Sequence, residues 1–156
     1  MRMMFTVILC VAMLGVLVGC ASRSGRFGAD NSYLAEEYPA QALTTVAEHL
    51  ADTISSIYPP GHTTFFLHQS NSPQDELGPA IETALRARGF TLVPEKDEQT
   101  LTLVYVLDRV DEEAWYSRLT ISDGLVLTRT WCLVGDDLEM EAATIRGVPT
   151  ENGHVQ

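Results

Sequence analysis

Residues 101–134 read LTLVYVLDRVDEEAWYSRLTISDGLVLTRTWCLV, and their alternation decides the fold. Leu101, Leu103, Tyr105 and Leu107 alternate with Thr102, Val104, Val106 and Asp108. Trp115, Ser117, Leu119 and Ile121 alternate with Tyr116, Arg118, Thr120 and Ser122. Leu125, Leu127, Arg129, Trp131 and Leu133 continue the pattern. A period of two places one set of side chains on a buried face and the other toward solvent. Asp123-Gly124 is a two-residue hairpin signal that pairs the last two runs. Gly135-Asp136-Asp137 is a further turn, and Leu138 to Ile145 reads as a last strand. This is an antiparallel meander.

Upstream of the meander the period changes. Leu43, Val46, Ala47, Leu50, Ile54 and Ile57 recur at three- and four-residue steps, which predicts a helix from Pro39 to Ile57, stopped by Pro59-Pro60-Gly61. Thr63 to His68 is a short β-branched and aromatic strand. A second helix follows, with Ser72 as its cap, Pro73 at its first position, Leu77, Ile81, Ala84 and Leu85 as its apolar stripe, and Gly89 closing it. Gly78 weakens the middle of that helix by roughly 1 kcal/mol, and close packing of helix on sheet is the reason expected for it. Phe90 to Val93 is another short strand. The order α-β-α-β followed by a meander predicts an α+β two-layer sandwich, two helices packed on a mostly antiparallel sheet.

The amino terminus sets the address. Arg2 precedes an apolar run from Phe5 to Val18 that is too short for a spanning helix and fits a secretory signal. Leu17-Val18-Gly19-Cys20 matches the bacterial lipobox, so Cys20 is the predicted lipidation site, with no other cofactor. The mature chain then begins with Cys20-Ala21. By resemblance to lipoprotein sorting, Ala21 favours the outer membrane, with the domain facing the periplasm. The predicted division is a signal peptide (1–19), a lipidated Cys and flexible tether (20–36), an α+β periplasmic domain (37–146) and a loose tail (147–156). Cys10 leaves with the signal and Cys20 carries lipid, so Cys132 remains as the one thiol, read as a small buried strand residue.

Charge divides the chain in the same place. Residues 1–29 hold three arginines and no acid; the remainder holds seven bases against 21 acids, a net charge of −14. Phosphate contacts need a basic surface, so nucleic acid is not an expected partner. No zinc, phosphate-loop or nucleophile-elbow motif is present, and no constellation of side chains supports an enzyme. His62 and His68 stand too far apart along a strand to share a metal. His49 and Asp52 lie on one helical face at a spacing of three, where the plain reading is a solvated face. Asp111-Glu112-Glu113 is the densest acidic group. It lacks the alternating ligands of a calcium loop and is read as a solvated turn or as a docking face for a basic partner. Tyr33 within the tether and Tyr38 just beyond it complete the candidate interaction surface. Trp115 and Trp131 are assigned to the core.

Several features together resemble TrbH, the conjugal transfer lipoprotein family of plasmid mating-pair systems. They are Tyr58-Pro59-Pro60-Gly61 after the first helix, Leu85-Arg86-Ala87-Arg88-Gly89-Phe90 closing the second, Tyr105-Val106-Leu107-Asp108, the run Trp115 to Ile121, and Leu127 to Trp131. The lipobox resembles that family too. The likeness covers roughly residues 40–133 and carries no catalytic fingerprint. It implies a structural or assembly part in a conjugative type IV secretion apparatus, with other apparatus proteins and the membrane as partners. The other reading is a lipoprotein that binds a small ligand or senses envelope stress, unrelated to conjugation.

Overall fold

The computed structural model of the protein describes residues 31–147, apart from 36 and 40. The predicted signal segment, the lipobox residues Leu17, Val18 and Gly19, the lipidation site Cys20 and the tail beyond residue 147 lie outside the described residues. The elements are β1 (Tyr33–Leu34), α1 (Ala42–Ile57), β2 (Thr64–Leu67), α2 (Leu77–Ala87), β3 (Thr91–Leu92), β4 (Leu101–Arg109), β5 (Ala114–Ile121), β6 (Val126–Val134) and β7 (Asp137–Arg146). They form one sheet in the order β3-β2-β4-β5-β6-β7, with β1 also paired to β4. The meander β4 to β7 is antiparallel, whereas β1, β2 and β3 join in parallel.

The alternation seen in sequence becomes two faces. Leu103, Tyr105 and Leu107 stand opposite Ile121, Leu119 and Ser117, which stand next to Leu127 and Arg129. All of these are buried beneath the helices. α1 supplies Leu43, Val46, Ala47, Leu50 and Ile54 to that core, and α2 supplies Leu77, Ile81 and Leu85. Each such aliphatic side chain contributes about 1.5–3 kcal/mol on burial. Trp131 is fully buried, donates its Nε1–H to Ser117 Oγ at 2.8 Å, and meets the edge of His49 at 5.5 Å.

Several boundaries differ from the sequence reading. α1 begins at Ala42, not Pro39: the Ala42 N–H donates to Pro39 O at 2.9 Å, so the proline opens a turn ahead of the helix. α2 begins at Leu77, and Ser72-Pro73 belong to the preceding turn. Asp75 takes the capping role: its Oδ1 accepts the Gly78 N–H and its Oδ2 accepts the Ser70 N–H, each at 3.1 Å. A carboxylate next to the free N–H groups of a first turn is also favoured by the helix dipole, which explains why it displaces the serine. Gly89 sits at φ 88°, where its N–H donates to Arg86 O and the helix ends as expected. Asp123-Gly124 does not make a two-residue loop. The loop is Ser122-Asp123-Gly124, because Ile121 N–H still donates to Leu125 O at 2.8 Å. Gly124, at φ 101°, takes the left-handed position that a three-residue loop requires.

The stretch read as tether to residue 36 is shorter than expected. Tyr33 and Leu34 pair with Val106 and Leu107, and Leu34 and Ala35 are buried. Ser32 is buried with them; its Oγ accepts the Tyr105 N–H at 3.1 Å and donates to His68 O. Two residues are too few to show a period of two, so β1 was invisible to the pattern.

Candidate interaction surfaces

Three surfaces remain after the core is built. The first is the β4–β5 turn with the segment that enters it. Asp111 Oδ1 accepts the N–H groups of Glu113 at 3.0 Å and Ala114 at 2.7 Å. These two bonds hold its carboxyl below the usual carboxylate range. Arg109 donates from Nε to Asp111 O at 2.8 Å and from Nη2 to Glu112 O at 3.3 Å. Its Nη1 lies 3.8 Å from Glu37 Oε2, so the same arginine ties the entering segment to the turn. Glu112 and Glu113 face solvent, and Val110 beside them is 66% exposed.

The structure therefore brings the predicted acidic group beside the segment that carries Tyr33 and Tyr38. It gives those residues unequal freedom. Tyr33 is half-buried in β1. Tyr38 packs on the core and donates its hydroxyl to Gln74 O at 2.8 Å. Burial, with Glu76 and Asp75 nearby, raises its pKa. Asp111 spends its side chain inside the turn. Glu112 and Glu113 are the members of the set left to meet a partner.

The second surface, absent from the sequence reading, is the helix-free face of the sheet. In a body of net charge −14, four of seven bases line shallow depressions there. Lys96 lines one with Phe66 and His68; Arg109 and Arg118 flank Tyr116; Arg118 and Arg146 line another with Thr128 and Thr144. Arg118 stands opposite Val106 on β4, and its Nε is buried without a hydrogen-bond partner. The signal for this face was present in Tyr116-x-Arg118-x-Thr120, the outward positions of a middle strand. Cys132 lies on the same face, paired with Ala114 and Glu139. It is half-exposed rather than buried as expected, because it points to the face that no helix covers, like its outward neighbours Thr128 and Thr130. Burial and then the carboxylates of Glu141, Glu113, Glu139 and Asp111 push its thiol up, away from thiolate reactivity.

The third surface is the edge of β7. Only Leu138 of this strand is buried.

No metal-binding arrangement emerges among the described residues. His49 turns to Trp131, while Asp52 Oδ1 accepts Arg88 Nε at 2.9 Å. The helical pair His49 and Asp52 thus serves two separate contacts. Among the described residues no helix is long and apolar enough to cross a membrane.

A family model described as "Conjugal transfer protein TrbH" matches residues 24–145. The chain belongs to the TrbH family of conjugal transfer proteins. The TrbH match is wider than the likeness read from turn and strand residues: it begins ahead of β1 and runs through β7 almost to its end. TrbH is thus a conjugal transfer component. Neither a comparison with curated proteins nor one with solved structures finds a match.

Proposed function

We propose that this TrbH-family protein is a lipid-anchored envelope lipoprotein and a structural, assembly component of a conjugative type IV secretion apparatus. Lipid on Cys20 would fix one end in the outer membrane, and more than one acyl chain gives stable anchoring. The observation that carries the reading is the lipobox standing just ahead of a family match that fills the folded domain. The position of β1 shortens the tether. From Cys20 to Ser32 the chain reaches at most about 40 Å, so the domain works close to the bilayer. Its docking group would be the exposed Glu112 and Glu113 beside Val110, held by Arg109 against the entering segment. Such a rim of like charge acts chiefly on partner choice and association rate. Two outcomes test this. Cys20→Ser should leave the chain unlipidated and lost from the outer-membrane fraction, with plasmid transfer reduced. Normal fractionation of that variant refutes the anchor. Plasmid transfer at the parental frequency from a strain lacking the protein refutes the assembly role.

A further inference from the structure

The edge of β7 carries a pattern that makes it its own complement. No described strand pairs with this edge, although β7 is ten residues long. Met140 and Ile145 are 42% and 46% exposed, and both lie on the helix side of the sheet, opposite Trp131 and Leu127. Glu139 and Arg146 lie on the other side, opposite Cys132 and Val126, near the two ends of the strand. At 3.3 Å per residue they are roughly 20 Å apart, too far to pair within one chain. Between them the register slips: Trp131 faces Met140, whereas Thr130 faces Ala142, which leaves Glu141 as the extra residue of a bulge.

We propose that this edge pairs antiparallel with the same edge of a second copy, about a twofold axis at Ala143, to form one continuous sheet. With Ala143 opposite Ala143, the bulged pair Glu141-Ala142 faces Thr144 of the second copy. Met140 then faces Ile145, and Glu139 faces Arg146. Every facing pair lies on the same side of the sheet, and symmetry makes each contact twice. The bulge, which would break the alternation against a straight strand, is matched by its own image. A twofold axis perpendicular to the sheet also keeps both helical layers on one side. Parallel pairing in register would instead set Glu139, Glu141 and Arg146 each against its own kind, which is destabilising. Edge charges and bulges generally deter indiscriminate strand pairing; this one arrangement neutralises them. The proposal does not rest on a role in conjugation, so a failed transfer assay leaves it standing.

The test uses the full chain in membranes and then in mild detergent. Ala143→Cys should be captured as a dimer by a short bismaleimide. The parent chain, which carries Cys132 as its thiol in the described domain, and Thr91→Cys on the far edge should not. Glu139→Arg or Arg146→Glu alone sets like charges together twice and should weaken association by about tenfold. Both residues are exposed, so thermal unfolding should confirm that the variants fold. The double swap Glu139→Arg with Arg146→Glu should restore dimerisation, which no effect within one chain would do. A parent chain that is monomeric, or a double swap as weak as the single variants, overturns the proposal. If the tail beyond residue 147 or another protein covers the edge instead, Ala143→Cys gives no self-cross-link, and the proposal falls equally.

Discussion

Replacing Gly78 by Ala tests whether the packing of α2 on β4 is set by this glycine. Gly78 is buried in the first turn of α2, not mid-helix as the sequence suggested, so alanine there would add at most about 1 kcal/mol of helix propensity. A Cβ there would lie 2.4 Å from Tyr105 Oη, 3.1 Å from Asp75 Oδ2 and 3.3 Å from Tyr105 Cζ. Tyr105 cannot swing aside at low cost. It is fully buried, donates to Asp75, and accepts the Ser70 N–H at 3.1 Å. Overpacking costs about 1–3 kcal/mol, and loosening a hydrogen bond to a carboxylate adds about 1.5–3. Against the propensity gain, Gly78→Ala should lose about 1.5–5 kcal/mol, a fall in Tm of roughly 6–20 °C for a domain this size. Thermal and urea unfolding followed by circular dichroism measure it. Tyr105→Phe removes the atom in the way, so the double variant should recover a coupling of about 1–3 kcal/mol. A Gly78→Ala chain more stable than the parent would refute the reasoning, because propensity alone would then govern the site.

Three further outcomes follow from the packing. Arg129 is buried with neutral partners only, Thr53 Oγ1 and Met140 Sδ, and burial lowers its pKa. Arg129→Met should therefore be neutral or stabilising by about 1–2 kcal/mol, and a urea midpoint that drops would contradict this. Arg88 joins α2 to α1 through Asp52 Oδ1 and Glu48 Oε2 while its Nη1 donates to Ala84 O at 2.9 Å. Arg88→Ala should cost about 1–2 kcal/mol, discounted for its exposed partners, whereas Arg86→Ala, which loses an exposed pair with Glu82 and one hydrogen bond to Leu92 O at 3.0 Å, should cost less, about 0.5–1 kcal/mol. The tyrosines of the fold set an alkaline limit. Burial and then a hydrogen bond to Asp123 or Asp75 raise the pKa of Tyr58 and Tyr105 above the ordinary value near 10. A raised folded pKa gives stability that is complete below the unfolded value and lost as pH climbs beyond it. Unfolding free energy should be flat to about pH 10 and then fall, with late tyrosinate absorbance tracking unfolding; ionisation of all tyrosines in a chain still folded would contradict it.

The sequence made the meander legible because a period of two was sustained over β4, β5 and β6, with Ser117 and Arg129 as the only polar residues on its buried side. The helices were equally plain in the spacing of Leu43, Val46, Leu50 and Ile54. Packing of α2 on the sheet was readable from Gly78, since a glycine inside an amphipathic helix needs a neighbour too close for a methyl group. What escaped was local or non-local in the wrong way for pattern reading. β1 has two residues. Asp75 wins the cap from Ser72 through a bond to Tyr105, 30 residues away. The hairpin loop takes a third residue while Tyr58 Oη reaches Asp123 Oδ2 at 2.7 Å, tying the loop to the end of α1. Of the candidate surface, the acidic turn was legible from composition. Arg109, which joins that turn to the entering segment, was not, because the two meet only after β1 has paired with β4.

The topology also sets how far the chain's entry into the sheet lies from the proposed seam. The chain enters the sheet at β1, on the side of β4 away from β5, so four strand spacings separate it from β7. At about 4.8 Å each, the entry point is roughly 19 Å from the β7 edge. In the proposed dimer the two entry points are nine spacings apart, roughly 43 Å. With Cys20 lipidated as proposed, each copy has a reach of about 40 Å. Both anchors can therefore insert in one leaflet without straining the shared sheet. A tether shortened to a few residues should break this compatibility while leaving the domain folded. Deleting residues 22–29 should reduce Ala143→Cys cross-linking in membranes but not in detergent, where the anchors no longer share a plane. Equal loss in both media would mean that the deletion damages the edge itself, and equal retention in both would mean that the anchors do not constrain the pair.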